Sequence, residues 1–558
     1  MRVSRVAALA VLAVPYVALA CAQADTAQAD TGRAETAVVS GSPVTSVAES
    51  VVSVRIPLPA SAGRHPAACD RLSYLRWHPA AGPADYHRAD RILIAQPGIF
   101  EGAAAFDSVA RDTVAAGLRQ GRHVEFWAIS RRSNCLIDRT GEQAALRAGD
   151  PHVALGYYYD GAKIGGRTFA GYLGSAQARW LGHVGVAQTV QDEYDLITHE
   201  LPSVAYRHKR LFCGGHSLGG IITGYFADWN FAGKRGYDQC AGWFALDSVI
   251  APQAPGLTEQ IVPTGVVPAN STAGQVNRAL ADGTLPSILA LPVLINPETE
   301  NLLGIAGLYA RLNPNAVSDL NTLVPHNLNL DTTLRLLFSQ DYAHFITGTP
   351  NPRDFKLTNA AVLGSLLDNN SEPLAFLQAS FGFFQGDGVK DKDFPVPGAL
   401  TGSLSFLANL FGSDPKAVPT KTGPLYSWLN ADQVGSESSS YTTRAQEVTD
   451  TAEMARSFSE APLDFTEWYF PTKLITDLYL PGNDISSHFR YPNGVAHRPT
   501  LQIKAGSGIS FGTKQYPNTT LVVAPHYHHL DVLTASPDQP GGQPETVSTH
   551  LLRFVLAG

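Results

Sequence analysis

The stretch RLFCGGHSLGGIITGYF, residues 210–226, decides how the rest of the chain reads. Gly214, Gly215, Gly219 and Gly220 crowd around one serine, Ser217. So much glycine suits neither a strand nor a helix. Yet an apolar run precedes it, and apolar residues at helical spacing follow it. G-x-S-x-G at a strand-to-helix junction sets the serine on a sharp, strained turn that lifts its hydroxyl above the sheet edge. Its neighbours must be nearly bare, because a Cβ there would collide with the adjacent strand and helix. The helix that follows aims its free N–H groups and the positive end of its dipole at the same place, which favours developing negative charge.

Working outward, strand and helix signals alternate. VVSVRIPL (51–58) and DRLSYLRW (70–77) read as an opening pair of strands. RILIAQPG (91–98), VEFWAIS (124–130), RLFCGG (210–215) and GWFALDS (242–248) are short apolar runs, separated by the helix-like AAAFDSVARDTVAAGL, TVQDEYDLITHELPSVAY and GGIITGYFADW. The pattern stops after residue 250 and resumes near residue 498 with PTLQIKAG, TTLVVAPH and the helix ETVSTHLLRFVLAG. Strands parted by helix-length segments predict an α/β fold with a mostly parallel, doubly wound sheet.

The chain has 558 residues, more than one hydrophobic core usually organises, with 44% hydrophobic and 16% charged residues and a net charge of −8. No basic run points to a nucleic-acid partner. Residues 1–20 read as a secretory signal peptide: Arg2 and Arg5, an apolar run, and Ala18-Leu19-Ala20 as the cleavage site. The chain is therefore expected to be secreted or periplasmic. Cys21 follows that site and raises a lipoprotein alternative, in which membrane attachment comes through its lipidation; Ala18, where lipoprotein signals usually carry Leu, favours a plain secreted protein. Residues 21–49, rich in Ala, Thr, Asp, Gln and Ser, are expected to be a flexible tether. Of the other cysteines, Cys69, Cys135, Cys213 and Cys240 permit three disulfide pairings. Cys213 equally suits a small buried core residue. No C-x-x-C or histidine pair at ligand spacing is present, so neither metal nor cofactor is expected.

On these motifs the chain resembles the α/β-hydrolase superfamily, in its secreted bacterial esterase and lipase-like branch. The resemblance covers residues 50–250 and 498–558. It rests on GHSLGG, on IAQPGIFEGAAAFD, which matches the loop after the third strand, and on APHYHHLDVL, which resembles the catalytic-histidine segment. Pro97 stands where relatives usually have His before Gly98. RRSNCLIDRTG and EWYFPTKLITDL are also similar to segments of bacterial α/β-hydrolases of unassigned substrate.

The resemblance implies roles. Ser217 is the nucleophile and needs a base. His529, from the His-Leu-Asp match, is that base, with His526 and His528 as alternatives. The backbone N–H groups of Leu218 and Ile99 form the oxyanion hole, with Phe100 as an alternative to Ile99. The acid is Asp247, at the end of the strand after the nucleophile helix, because Gly506-Ser507-Gly508 fill the usual alternative position. An Asp ending an apolar strand is costly to bury unless paired. Asp484 and Asp531 are its competitors.

Residues 251–497 are expected to form a mainly helical cap or lid, with TTLRLLFSQ, PLAFLQASFGFF and LSFLANLFG among its helices. A second insertion at residues 131–188 carries Tyr157-Tyr158-Tyr159. The aromatic cover fits a small-molecule or lipid ester with an apolar acyl group, although such aromatics also serve as a cap's own core. The expected activity is a secreted carboxylic-ester hydrolase working through an acyl-enzyme. An acyltransferase, peptidase or lactonase on the same fold, and a non-catalytic envelope binding protein, are the alternatives.

Overall fold

The structure, a computed structural model, describes residues 32–252, 271–290, 295–395, 411–435, 440–460, 462–511 and 516–557. The segment expected to be a signal peptide (residues 1–20), Cys21 and nearly all of LSFLANLFG lie outside the described residues. Among the described residues the main sheet has nine strands. They are β1 (Arg33–Val38), β2 (Val47–Arg55), β3 (Arg71–Pro79), β4 (Arg91–Gln96), β5 (Val124–Ser130), β6 (Leu211–His216), β7 (Gly242–Leu246), β8 (Thr500–Ala505) and β9 (Thr519–Ala524). Their spatial order is β1-β2-β3-β5-β4-β6-β7-β8-β9. From β5 to β9 every pairing is parallel, whereas β3 runs antiparallel to both β2 and β5. From β2 onward, that order with its reversed second strand is the α/β-hydrolase fold.

The central strands read as unbroken apolar runs because both faces are covered. Ile92 and Ile94 of β4 pack into one core with Val190 and Ile197 of α2 (Val186–Glu200) and Ile221 and Ile222 of α3 (Leu218–Asp228). Leu93 and Ala95 pack into the other core with Val109 and Val114 of α1 (Asp107–Arg119) and Val547 and Leu551 of α4 (Thr546–Ala557).

The tether expected over residues 21–49 gives way, from Arg33 onward, to structure. β1 pairs antiparallel with β2, from Arg33 opposite Val54 to Val38 opposite Glu49. No apolar period betrays this strand because polar groups anchor it: Arg33 donates to Glu200 at 3.0 Å, and Ser50 and Arg76 donate to Glu35 at 2.6 and 2.8 Å. The cysteines pair as Cys69–Cys135 and Cys213–Cys240, so Cys213 is a disulfide partner as well as a buried strand residue.

The chain between β7 and β8 is mixed. Pro297–Leu312 is a helix because Pro297 suits its first turn and Asn296 caps it, accepting from the N–H groups of Glu298 and Thr299. TTLRLLFSQ contributes to the helix Leu328–Phe338. PLAFLQASFGFF does not form a helix: it gives one short turn, Ala375–Leu377, and the strand Gly382–Gln385. Gly382, at φ +142°, starts that strand, and Phe384 meets the ring of Trp428 edge-on across the ladder. Tyr157 and Tyr158 pack against Phe169, with Trp468 against Tyr158, so these aromatics are largely each other's core. No helix among the described residues is long and apolar enough to cross a membrane.

Cys69–Cys135 closes a loop across 66 residues, which in the chain-entropy picture stabilises the fold by about 4 kcal/mol. Replacing both cysteines with alanine is expected to shift urea unfolding by that order. Identical unfolding curves for variant and wild type would show that the bridge contributes nothing.

Candidate active site

Ser217 occupies the junction of β6 and α3 with φ 52° and ψ −121°, a conformation side-chain-bearing residues seldom adopt. The bare neighbours are a steric requirement. A Cβ on Gly215 would lie 2.5 Å from the Gln96 carbonyl oxygen, and one on Gly219 would lie 2.0 Å from the same atom. The N–H of Ser217 donates to the Leu246 carbonyl at 3.1 Å, and the Ser248 hydroxyl donates to the Ser217 carbonyl. Leu218 opens α3, where N–H groups lack intrahelical acceptors.

Asp247 leaves the end of the neighbouring strand with φ 36°. Its buried carboxylate accepts from the N–H groups of Ala505 at 3.0 Å and Ile509 at 3.1 Å, and from His529 Nδ1 at 2.6 Å. Residues 506–508, bare of charge, therefore wrap the acid. A Cβ on Gly508 would lie 2.2 Å from Asp247 Oδ2. With Nδ1 donating to Asp247, the nitrogen of His529 left for base chemistry is Nε2.

The other candidates lie elsewhere. His526 is exposed. His528 is buried and faces Asp414, 3.1 Å from its Nε2. Asp531 accepts from Ser380 N at 2.9 Å, Ser380 Oγ at 2.8 Å, Thr449 Oγ1 at 2.8 Å and His528 N at 2.7 Å. Asp484 pairs with Lys473 at 3.1 Å.

Ile99 and Phe100 lie in the loop after β4, beside the first turn of α3, and share one buried core with Leu218, Ile509 and Phe511. The N–H of Ile99 finds no acceptor among the described residues. Phe100 has φ 59°.

Glu101 and His216 belong to this site although nothing in the sequence marks them. His216 looks like filler in GHSLGG, and Glu101 like an ordinary loop acid. Both are buried: His216 Nδ1 lies 2.7 Å from Glu101 Oε1, and Gly98 N donates to Glu101 Oε2 at 2.6 Å. His216 Nε2 donates to the His529 carbonyl at 3.0 Å, since a carbonyl only accepts. The two imidazole rings lie 4.4 Å apart. Burial acts to lower the His216 pKa, but Glu101 outweighs it and holds the group above its ordinary value. Burial acts to raise Glu101, and the facing His216 charge holds it below the usual carboxylate range. His529 is held below its ordinary value by burial first and by His216 second, against the pull of Asp247. Ligand atoms of Glu101, His216 and His529 lie within 4.8 Å of one another, the spacing of a metal site. Here hydrogen bonds already engage the two nitrogens of His216, the Glu101 carboxylate and His529 Nδ1.

No protein-family model matches the chain. No curated protein matches it either. Among solved structures, it is similar to a peroxisomal α/β-hydrolase from Saccharomyces cerevisiae (11% identity, 94% of this chain and 89% of that one, TM-score 0.32). It is also similar to the juvenile hormone epoxide hydrolase of Bombyx mori (12% identity, 91% and 77%, TM-score 0.29). A lipase in an open form matches at 10% identity over 94% and 99% of the two chains, with a TM-score of 0.27. Likenesses this distant carry no inference about chemistry.

The surroundings set the adjacent histidines apart. Against the adverse effect of burial, Asp414 and Asp531 push His528 up to about 9. His528 therefore stabilises the fold fully below pH 6.5, and that contribution is lost as pH rises through about 9. Histidine NMR titration, assigned with His528→Gln and His529→Gln, is expected to show His529 gaining its proton below pH 6.5 and His528 losing its own near 9. The reverse order would contradict the geometry.

Proposed function

We propose that this chain is a serine hydrolase that cleaves carboxylic esters through an acyl-enzyme on Ser217. One observation carries the reading: the buried Asp247–His529 hydrogen bond, at 2.6 Å, lies on the strand next to the strained turn that presents Ser217. A serine hydroxyl is a weak nucleophile until a base removes its proton. In this mechanism His529 Nε2 takes the proton as Oγ attacks the ester carbonyl, and later returns it to the leaving alkoxide. Asp247 fixes the tautomer and stabilises the imidazolium. The N–H groups of Ile99 and Leu218 receive the oxyanion, each worth roughly 10²–10³ in rate. Water, deprotonated by the same histidine, then releases the acid.

In this reading the chain between β7 and β8 acts as the cap and selects apolar acyl groups. The apolar residues around the site support that selection: Ile99, Phe100 and Leu218 share a buried core with Leu289, Ile295 and Leu374 of the insertion. The same reading takes the N-terminus as an export signal. Two disulfides support an oxidising compartment.

A fluorophosphonate is expected to label the wild-type chain at Ser217, and Ser217→Ala to abolish both labelling and hydrolysis, with kcat falling by about 10⁶. A folded Ser217→Ala variant that keeps a tenth of the activity would sink the assignment. For the cap, kcat/KM on p-nitrophenyl esters is expected to rise from acetyl to octanoyl. A steady fall along that series would mean a small pocket.

A further inference from the structure

Two segments singled out in the sequence, RRSNCLIDRTG after β5 and EWYFPTKLITDL before β8, have no part in the mechanism above. They meet at the loop between β4 and α1. Arg131 is 5% exposed, and its guanidinium spreads over that loop. It donates from one terminal nitrogen to the Pro97 carbonyl at 2.7 Å and from the other to the carbonyls of Gly98 and of Glu101, the latter at 3.0 Å. Its Nε donates to Glu467 Oε2 at 2.7 Å, and Ser133 Oγ donates to the other oxygen of that carboxylate. Glu467 also grips the loop through its backbone, its N–H donating to the Phe100 carbonyl at 2.8 Å. The Gly102 N–H returns the contact by donating to the Phe465 carbonyl at 2.7 Å.

Peptide planarity turns these bonds into orientation. In a trans peptide the C=O of one residue and the N–H of the next point in opposite directions. With the Gly98 carbonyl drawn to Arg131, the Ile99 N–H must point away from Arg131. The preceding peptide obeys the same rule: its carbonyl, from Pro97, goes to Arg131, and its N–H, from Gly98, goes to Glu101. A loop containing Phe100 at φ 59° does not hold such an arrangement unaided. We infer that Arg131, held in place by Glu467, is a positioning residue that fixes the direction of the Ile99 N–H, and so the geometry with which the site receives an oxyanion. The inference rests on the proposed role of Ile99. Only a planar fork reaches three carbonyls and a carboxylate at once, so lysine cannot replace it.

Arg132 supplies the control. It is as deeply buried and donates to Asp192 and to the carbonyls of Ile56 and Cys69, with no bond to residues 97–101. A merely structural guanidinium would make the two positions alike. In the wild-type, Arg131→Lys, Glu467→Gln and Arg132→Lys chains, kcat and KM on one p-nitrophenyl ester and the affinity for an arylboronic acid are measured beside thermal unfolding. Arg131→Lys is expected to lower kcat by roughly 10², with KM within about threefold, and to weaken boronate binding by a similar factor as the tetrahedral anion loses a donor. Glu467→Gln, which keeps the volume and the cation, is expected to act in the same direction. Arg132→Lys is expected to lower the unfolding temperature and leave kcat within about threefold. A folded Arg131→Lys with wild-type kcat overturns the inference and leaves the ester-hydrolase reading standing. So does an equal loss at both arginines. Should Arg131→Lys not fold, Glu467→Gln decides by the same criterion. A wild-type chain that neither hydrolyses esters nor takes a fluorophosphonate overturns both.

Discussion

Three adjacent parallel strands, β4, β6 and β7, each end beside a non-glycine residue with positive φ: Phe100, Ser217 and Asp247. Such conformations cost of order 1–3 kcal/mol each and persist only where the surroundings over-determine them. Here the surroundings are a sheet covered on both faces. Gly215 and Gly219 touch the Gln96 carbonyl so closely that no Cβ fits, so the turn at Ser217 cannot relax towards its neighbour strand. The Ser217 N–H is held by Leu246, and the Asp247 N–H by Ile503 at 2.7 Å. Ser217 and Asp247 are thus each tied to the next strand along, and Phe100 is held through its carbonyl by the Glu467 N–H. The sheet edge behaves as one rigid template, and the proposed chemistry depends on it.

On that template the carboxylates of Asp247 and Glu101 are each met by donors. Asp247 has two backbone N–H groups and His529; Glu101 has Gly98 N–H and His216. This is the condition under which burial of charge is tolerable. The two histidines are coupled through a shared neighbourhood: a charged His216 makes it harder to charge His529, which keeps the second imidazole neutral and able to accept a proton. Glu101, facing His216, offsets that residue's charge.

Much of this was legible in the sequence because it is local. Apolar period and turn glycines place the strands, and GHSLGG places the elbow within one residue. Asp247 could be found because a charged residue ending an apolar strand demands a partner. The remainder depends on contacts between distant segments. Glu101 and His216 lie 115 residues apart, and Arg131 and Glu467 lie 336 apart. Neither pair leaves a periodic trace. The edge strand β1 was illegible for another reason: its fixings are Arg33–Glu200 and Glu35–Arg76, and polar anchoring looks like a solvated tether. The helix expected in PLAFLQASFGFF failed because aromatic residues bury as readily on a short ladder as on a helix face.

The insertion between β7 and β8 bonds directly to loops at this edge. Its last part pairs with the loop after β4 through Phe465 and Glu467, and its middle part holds the histidine loop, where Ser380 and Thr449 donate to Asp531. Asp531 in turn accepts from the backbone N–H of His528, the residue before His529. The two loops that carry the proposed oxyanion donor and base are thus both held by the chain between β7 and β8. Removing one partner from a buried charged network of this kind typically costs 3–5 kcal/mol, so the grip is not readily released. A lid swinging as a rigid body would have to break both sets of bonds. On the proposed function, any opening that admits substrate must therefore come from parts of the insertion that do not touch residues 97–104 or 528–531, and the segments that do touch them belong mechanically to the sheet edge that carries the proposed site.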